Sequence, residues 1–231
     1  MSQFMPAEIR GIVFDLDGTL YVCKRFAAEI QNASVEYIAG VMQISLDEAG
    51  VEMAATRQKL SQESGITQTI SAVCTTLGGN VQDLHRFFEQ KLRPEAFLVR
   101  DERVTAMLER LAENYSLYIY TNNNRVLTAR IMDYLGLDGL VRDVFTINDS
   151  WRGKPDEGLV RGVLGKIGLA ANEALFVGDR YDVDLRVPEQ LGCPVYLSRT
   201  LEQLLRLEAL LIKSTSSDTP VVPAYPQVAQ S

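Results

Sequence analysis

The sequence predicts an α/β fold, a doubly wound parallel sheet whose first crossover is opened by an inserted four-helix domain. Three observations lead there. Five short apolar runs, residues 9–14, 117–120, 144–147, 174–177 and 194–197, are rich in β-branched and aromatic residues and too short for helices. Amphipathic helical patterns separate the later runs, and strands alternating with helices imply a parallel sheet covered on both faces. Finally, about a hundred residues separate the first run from the second, far more than a crossover loop needs.

Taken in order, the first run is a strand that ends at Asp15. The insert then opens with a helix over residues 26–41, which puts Phe26, Ile30, Tyr37 and Val41 on one stripe. The second helix begins at Ser45-Leu46-Asp47-Glu48, where Ser and Glu can each satisfy the other's free backbone N–H. A third spans residues 67–77 and stops at Gly78-Gly79. The fourth starts at Asn80, presents Val81, Leu84, Phe88 and Leu92, and is followed by Pro94. Four such stripes can bury one another, so residues 22–94 are expected as one helical unit, hinged near 21–25 and 93–99. A helix from Asp101 carries Val104, Leu108 and Leu111 ahead of the second strand. The next helix repeats Val126, Ala129, Met132 and Leu135 and closes at Gly136; a later one carries Leu159, Val163 and Ile167 before Gly168. Residues 1–21 and 95–212 form the expected core. Residues 213–231, rich in Ser, Thr and Pro, are expected as a flexible tail.

Composition narrows the function. No apolar run approaches membrane-spanning length and the start lacks a signal-peptide layout, so the chain reads as cytoplasmic and without a membrane partner. Cys23, Cys74 and Cys193 are odd in number and widely spaced, which suits free thiols. A net charge of −7 argues against nucleic acid as a partner. The single histidine, His85, is expected on a helix surface, which leaves acid–base chemistry to carboxylates, lysine or a metal.

The candidate site residues sit at strand ends, where a doubly wound sheet gathers its ligands. Asp15 and Asp17 lie two apart after the first strand and so point the same way, and Gly18 lets the backbone turn beside a ligand. Thr121 and Asn122 follow the second strand, a hydroxyl and an amide suited to phosphate oxygens; Asn123 or Asn124 can cap the next helix. Lys154 follows the third strand, and Pro155 suits the first turn of the helix behind it. Asp179 comes straight off the fourth strand, with Asp182 and Asp184 close behind. If these acids converge, two unit charges about 4 Å apart repel by roughly 4 kcal/mol at a partly buried dielectric. A cluster of three or four therefore needs a cation, and an all-oxygen set beside a phosphate suits Mg²⁺.

Asp15-Leu16-Asp17-Gly18-Thr19, Thr121-Asn122, Lys154-Pro155 and Gly178-Asp179 with Asp184 resemble, in order, the four motifs of the haloacid dehalogenase superfamily. The insert resembles that superfamily's helical type-one cap on a Rossmann-like core. The resemblance implies a phosphatase acting on a small phosphorylated metabolite, as a monomer or homodimer. Asp15 would form an aspartyl-phosphate, while Asp17 would protonate the leaving alcohol and then activate water. Thr121, Asn122 and Lys154 would bind the phosphoryl group. Asp15, Asp17 and Asp179 would hold Mg²⁺, with Asp184 or Asp182 as the further acid and Asp184 preferred on spacing. Phosphoglycolate phosphatases and pyrimidine nucleotidases share this layout. A β-type phosphoglucomutase shares the motifs, and a dehalogenase proper shares the nucleophile without needing Asp17. A non-enzymatic phospho-receiver has similar strand-end groups but about half the length and no insert. An inactive relative serving as a binding module is disfavoured by the full motif set.

Overall fold

Five parallel strands in the order β3-β2-β1-β4-β5 form the sheet of a computed structural model that describes residues 9–215. Along the chain the elements are β1 (Gly11–Phe14), α1 (Lys24–Met42), α2 (Leu46–Ser64), α3 (Ile70–Thr76), α4 (Val81–Lys91), α5 (Glu102–Ala112), β2 (Ser116–Tyr120), α6 (Arg125–Leu135), β3 (Asp143–Phe145), α7 (Glu157–Ile167), β4 (Ala174–Gly178), α8 (Arg186–Gln190), β5 (Val195–Leu197), α9 (Leu201–Leu205) and α10 (Leu207–Thr215). The α/β architecture is the expected one. Strand order reverses beside β1, so the strand carrying Asp15 lies at the centre, between β2 and β4. In register, Phe14 is level with both Ile119 and Val177. The chain therefore leaves all three strands at the same height, which is what gathers Asp15, Thr121 and Asp179.

Side-chain alternation splits the core between the two faces. Ile12, Phe14, Leu117, Ile119, Leu175 and Val177 pack with α5, α6, α9 and α10. Val13, Tyr118, Tyr120, Phe145 and Phe176 pack with α7 and α8. The first cluster runs on into the insert through Phe26, Ile38, Met53, Leu84 and Phe88. Within the insert, α1 packs on α2, α3 and α4, while α4 rests on α6. Leu84 and Phe88 of α4 and Leu92 just behind it are buried, each worth roughly 1.5–3 kcal/mol. The capping box forms at Ser45 and Glu48.

Several expectations need correction. Val41 is exposed, and the buried face of α1 is Phe26, Ala33, Ser34, Ile38 and Ala39. On α6, Met132 and Leu135 are buried as expected, but Val126 and Ala129 face solvent, and Leu127 and Ile131 complete the apolar stripe. Ile147 starts a short 3₁₀ turn and is not part of β3. Pro155 precedes α7 instead of opening it; Asp156 is the N-cap, accepting from Leu159 N, and the Lys154–Pro155 peptide is cis. Of the expected tail, residues 213–215 complete α10, and residues 216–231 lie outside the described residues. Cys23, Cys74 and Cys193 are free. No helix among the described residues is long and apolar enough to cross a membrane.

His85 is the sharpest correction, because it is buried and not on a helix surface. Its ring meets Phe88 edge-on at 5.5 Å and lies 6.4 Å from Trp151 of the core, while Asn124 donates to its backbone oxygen at 3.1 Å. Burial lowers its pKa from 6.5 to about 4. The folded state thus holds His85 neutral, and its contribution to stability, present above the unfolded pKa, is lost as pH falls from 6.5 through about 4. We expect the wild type to lose up to about 3 kcal/mol over that window through this group. His85→Gln should lack that part of the loss. Identical acid denaturation curves for the two proteins would count against it.

Candidate active site

The site begins where β1 ends. The Asp15 amide donates to Val177 O at 2.8 Å, which carries the sheet one residue past the strand and fixes the start of the loop. Gly18 follows with φ at +88°, and a Cβ there would stand 2.5 Å from Asp179 Oδ2. Glycine is therefore needed both for the turn and for the approach of the two loops. The Gly178 position is equally tight, since a Cβ would come within 2.4 Å of Asp184 Cβ.

Lys154 is the hub. Its buried Nζ donates to Asp15 Oδ1 at 2.6 Å, Asp184 Oδ1 at 2.7 Å and Tyr120 O at 2.8 Å. Burial works against the ammonium, but Asp15 and Asp184 outweigh it and hold the lysine above its ordinary pKa. Thr19 Oγ1 donates to the other oxygen of Asp15 at 3.2 Å. Burial nevertheless pushes Asp15 up to about 7, with Lys154 only partly offsetting it, and pushes Asp179 up to about 6. Asp17 is raised as well, again by burial. Its partners differ from those of Asp15. Tyr21 Oη donates to Asp17 Oδ1, and Asn123 Nδ2 donates to Oδ2 at 2.5 Å, with Thr121 Oγ1 at 3.4 Å.

Asp15, Asp179 and Asp184 each offer a ligand oxygen, and these atoms lie within 4.8 Å of one another. Asp179 Oδ1 is buried without a hydrogen-bond partner among the described residues, and Arg180 Nε stands 3.8 Å from it. An orphaned carboxylate oxygen among hard oxygen donors fits a hard divalent cation. Asp184 is buried, with Oδ2 accepting from Arg180 N at 3.0 Å, whereas Asp182 is only half-buried and stands outside this group.

The remaining expected residues are placed as follows. Thr121 is buried beside Asp17 and accepts from Asn123 N at 3.1 Å. Asn122 does not point its amide into the acidic group. Its Oδ1 accepts from Lys154 N at 2.7 Å and its Nδ2 donates to Lys154 O at 3.4 Å, so it fixes the loop that delivers the lysine. Outside that set, Lys24 and Arg25 at the start of α1 are exposed, with Arg25 stacked 5.7 Å over Phe97. Sequence reasoning missed Tyr21 and Asn123 as partners of Asp17, and Arg180 beside Asp179. An arginine directly after a strand-end aspartate was the available signal for the last.

Comparison with known proteins decides the family. A profile of haloacid dehalogenase-like hydrolases matches residues 9–192. The chain belongs to that family. As a member it is an enzyme, a hydrolase. It is 25% identical over 195 residues to a glyceraldehyde 3-phosphate phosphatase of Methanocaldococcus jannaschii, covering 80% of this chain and 82% of the relative. A phosphoglycolate phosphatase of Pectobacterium atrosepticum is 28% identical over 196 residues, covering 80% of this chain and 78% of the relative. Among solved structures, the haloacid dehalogenase-family hydrolase YfnB of Bacillus subtilis, bound to magnesium, superposes with a TM-score of 0.56. It is 19% identical and covers 88% of this chain and all of its own, which bears on the fold alone.

Proposed function

We propose that this hydrolase cleaves a small phosphomonoester, with Asp15 as the nucleophile and Mg²⁺ as its cofactor. The observation that carries the reading is a pair of aspartates in unlike settings. Asp15 is hydrogen-bonded to the buried Lys154 ammonium, whereas the hydrogen-bond donors to Asp17 among the described residues, Tyr21, Asn123 and Thr121, are neutral. Unlike environments push two carboxyl groups toward different roles. A dehalogenase would need only the first of them. The phosphatase names of the matching relatives support the same reading and point to small phosphorylated metabolites.

In the proposed cycle an Asp15 oxygen bonds to phosphorus as the bond from phosphorus to the leaving oxygen breaks, and Asp17 gives that oxygen its proton. Water then attacks the aspartyl-phosphate, Asp17 takes the proton from water, and Asp15 is released with inorganic phosphate. Lys154 and Thr121 would hold the phosphoryl oxygens, with Asn122 acting through the loop it braces. Asp15, the main chain at Asp17 and Asp179 would hold Mg²⁺, with Asp184 steadying Lys154 behind them. A bound Mg²⁺ supplies positive charge against the phosphoryl oxygens. In this reading residues 22–94 act as a cap that excludes water and sets the leaving group, in a cytoplasmic protein.

A panel of phosphomonoesters containing glyceraldehyde 3-phosphate and phosphoglycolate, run with Mg²⁺ and with chelator, tests the proposal. Phosphate should be released from at least one member, and chelator should abolish release. Transfer between sugars without free phosphate would move the reading to a mutase. Inertness toward every member with Mg²⁺ would sink it.

A further inference from the structure

We propose that Tyr21 is a positioning residue, whose phenol holds the carboxyl of Asp17 in place for both of its proton transfers and ties that geometry to the hinge of the insert. The inference rests on the phosphatase reading above. Tyr21 is buried and lies just before α1, the first helix of the insert. Its backbone is locked to the nucleophile loop, since Tyr21 O accepts from Gly18 N at 2.9 Å and the residue bridges to Asp17. Its ring lies 6.4 Å from Phe26 of α1, and Phe26 lies 5.9 Å from Phe97 in the returning linker. One aromatic row thus joins both hinges to the hydroxyl that holds Asp17.

The hydroxyl matters because of how a carboxylate rotates. The last torsion of an aspartate is broad, so a donor on one oxygen fixes a point and not a plane. Asn123 and Thr121, both on the core after β2, hold Oδ2. Tyr21 alone holds Oδ1 among the described residues, and from the hinge. A carboxylate has about four lone-pair sites, so each oxygen keeps room for the leaving alcohol or for water. Packing alone would be served as well by phenylalanine, whereas plane-setting needs the oxygen.

Tyr21→Phe keeps the ring and deletes only that oxygen. Two substrates separate its consequences. The p-nitrophenolate group departs without needing a proton, so aspartyl-phosphate formation from p-nitrophenyl phosphate should keep its wild-type rate. That shows as a burst of about one product per enzyme in rapid mixing. Water attack still needs Asp17, so the steady state after the burst should fall by roughly ten-fold. With the best alkyl phosphomonoester of the panel, kcat should fall by about ten-fold or more at unchanged KM and without a burst. Wild-type kcat on both substrates would overturn the inference. So would an equal loss on both with a smaller burst, because that reports fewer folded sites and a purely structural tyrosine. A wild-type protein inert toward the whole panel removes the phosphatase reading first, and this inference with it.

Discussion

Asp15→Asn is expected to abolish turnover and leave the fold in place. The amide is no nucleophile toward phosphorus, so kcat should drop by at least ~10⁴-fold. It matches the carboxylate in shape, and its oxygen can still accept from Lys154, which reaches Asp15 Oδ1 at 2.6 Å. Thr19, now donating to Asp15 at 3.2 Å, can turn its hydroxyl to accept from the new amide. Stability carries a second signature. The folded pKa of Asp15, about 7, lies above the ordinary aspartate value of 3.8, and burial is the main cause. A raised pKa contributes stability that is present below pH 3.8 and lost as pH rises through about 7. In chelator at pH 8 the wild type carries that penalty, and the variant does not. The variant should therefore melt at or above the wild type at pH 8 and show no such gain at pH 4. Phosphate release together with two melting curves checks both halves. Activity above a small fraction of wild type would remove Asp15 as the nucleophile.

The same chemistry explains what could be read from the sequence. Asp15 was legible because it comes straight off a buried strand, which fixes the direction of its end. Asp179 was legible for the same reason, as β4 is buried throughout. The β1–β4 register that brings the two loops together follows from a parallel sheet with one central strand. Past the strand ends alternation stops, and so does legibility. Asn122, Asn123 and Asn124 are consecutive and chemically alike, yet they brace Lys154, hold Asp17 and cap α6 respectively. Only the turn after β2 distributes those tasks, and composition cannot encode a turn's path. His85 fails in another way. Its ring lies beside Trp151, far along the chain on the core, a neighbour that no helical pattern within α4 could reveal.

Lys154 is where the electrostatics are most exposed to test, and Lys154→Met is expected to cost both stability and activity. Two buried carboxylates, Asp15 and Asp184, share this one ammonium at 2.6 and 2.7 Å. Methionine keeps most of the volume and removes the charge, which leaves both acids inside the protein without it. Breaking a buried pair in this way typically costs about 3–5 kcal/mol. Loss of a positive charge aimed at the phosphoryl group should lower kcat by at least about 10²-fold. The two losses can be separated. Adding Asp184→Asn to Lys154→Met removes one of the stranded carboxylates and should recover part of the stability, because the residues are in contact and their effects do not add. It should recover no activity, since nothing restores charge at the phosphate. Mg²⁺ should raise the melting temperature of the lysine variant by more than that of the wild type, because the cation becomes the nearest counter-charge to Asp15. If Lys154→Met melts within about 0.5 kcal/mol of the wild type in chelator, the lysine is a surface charge and the buried ion triad does not exist in solution.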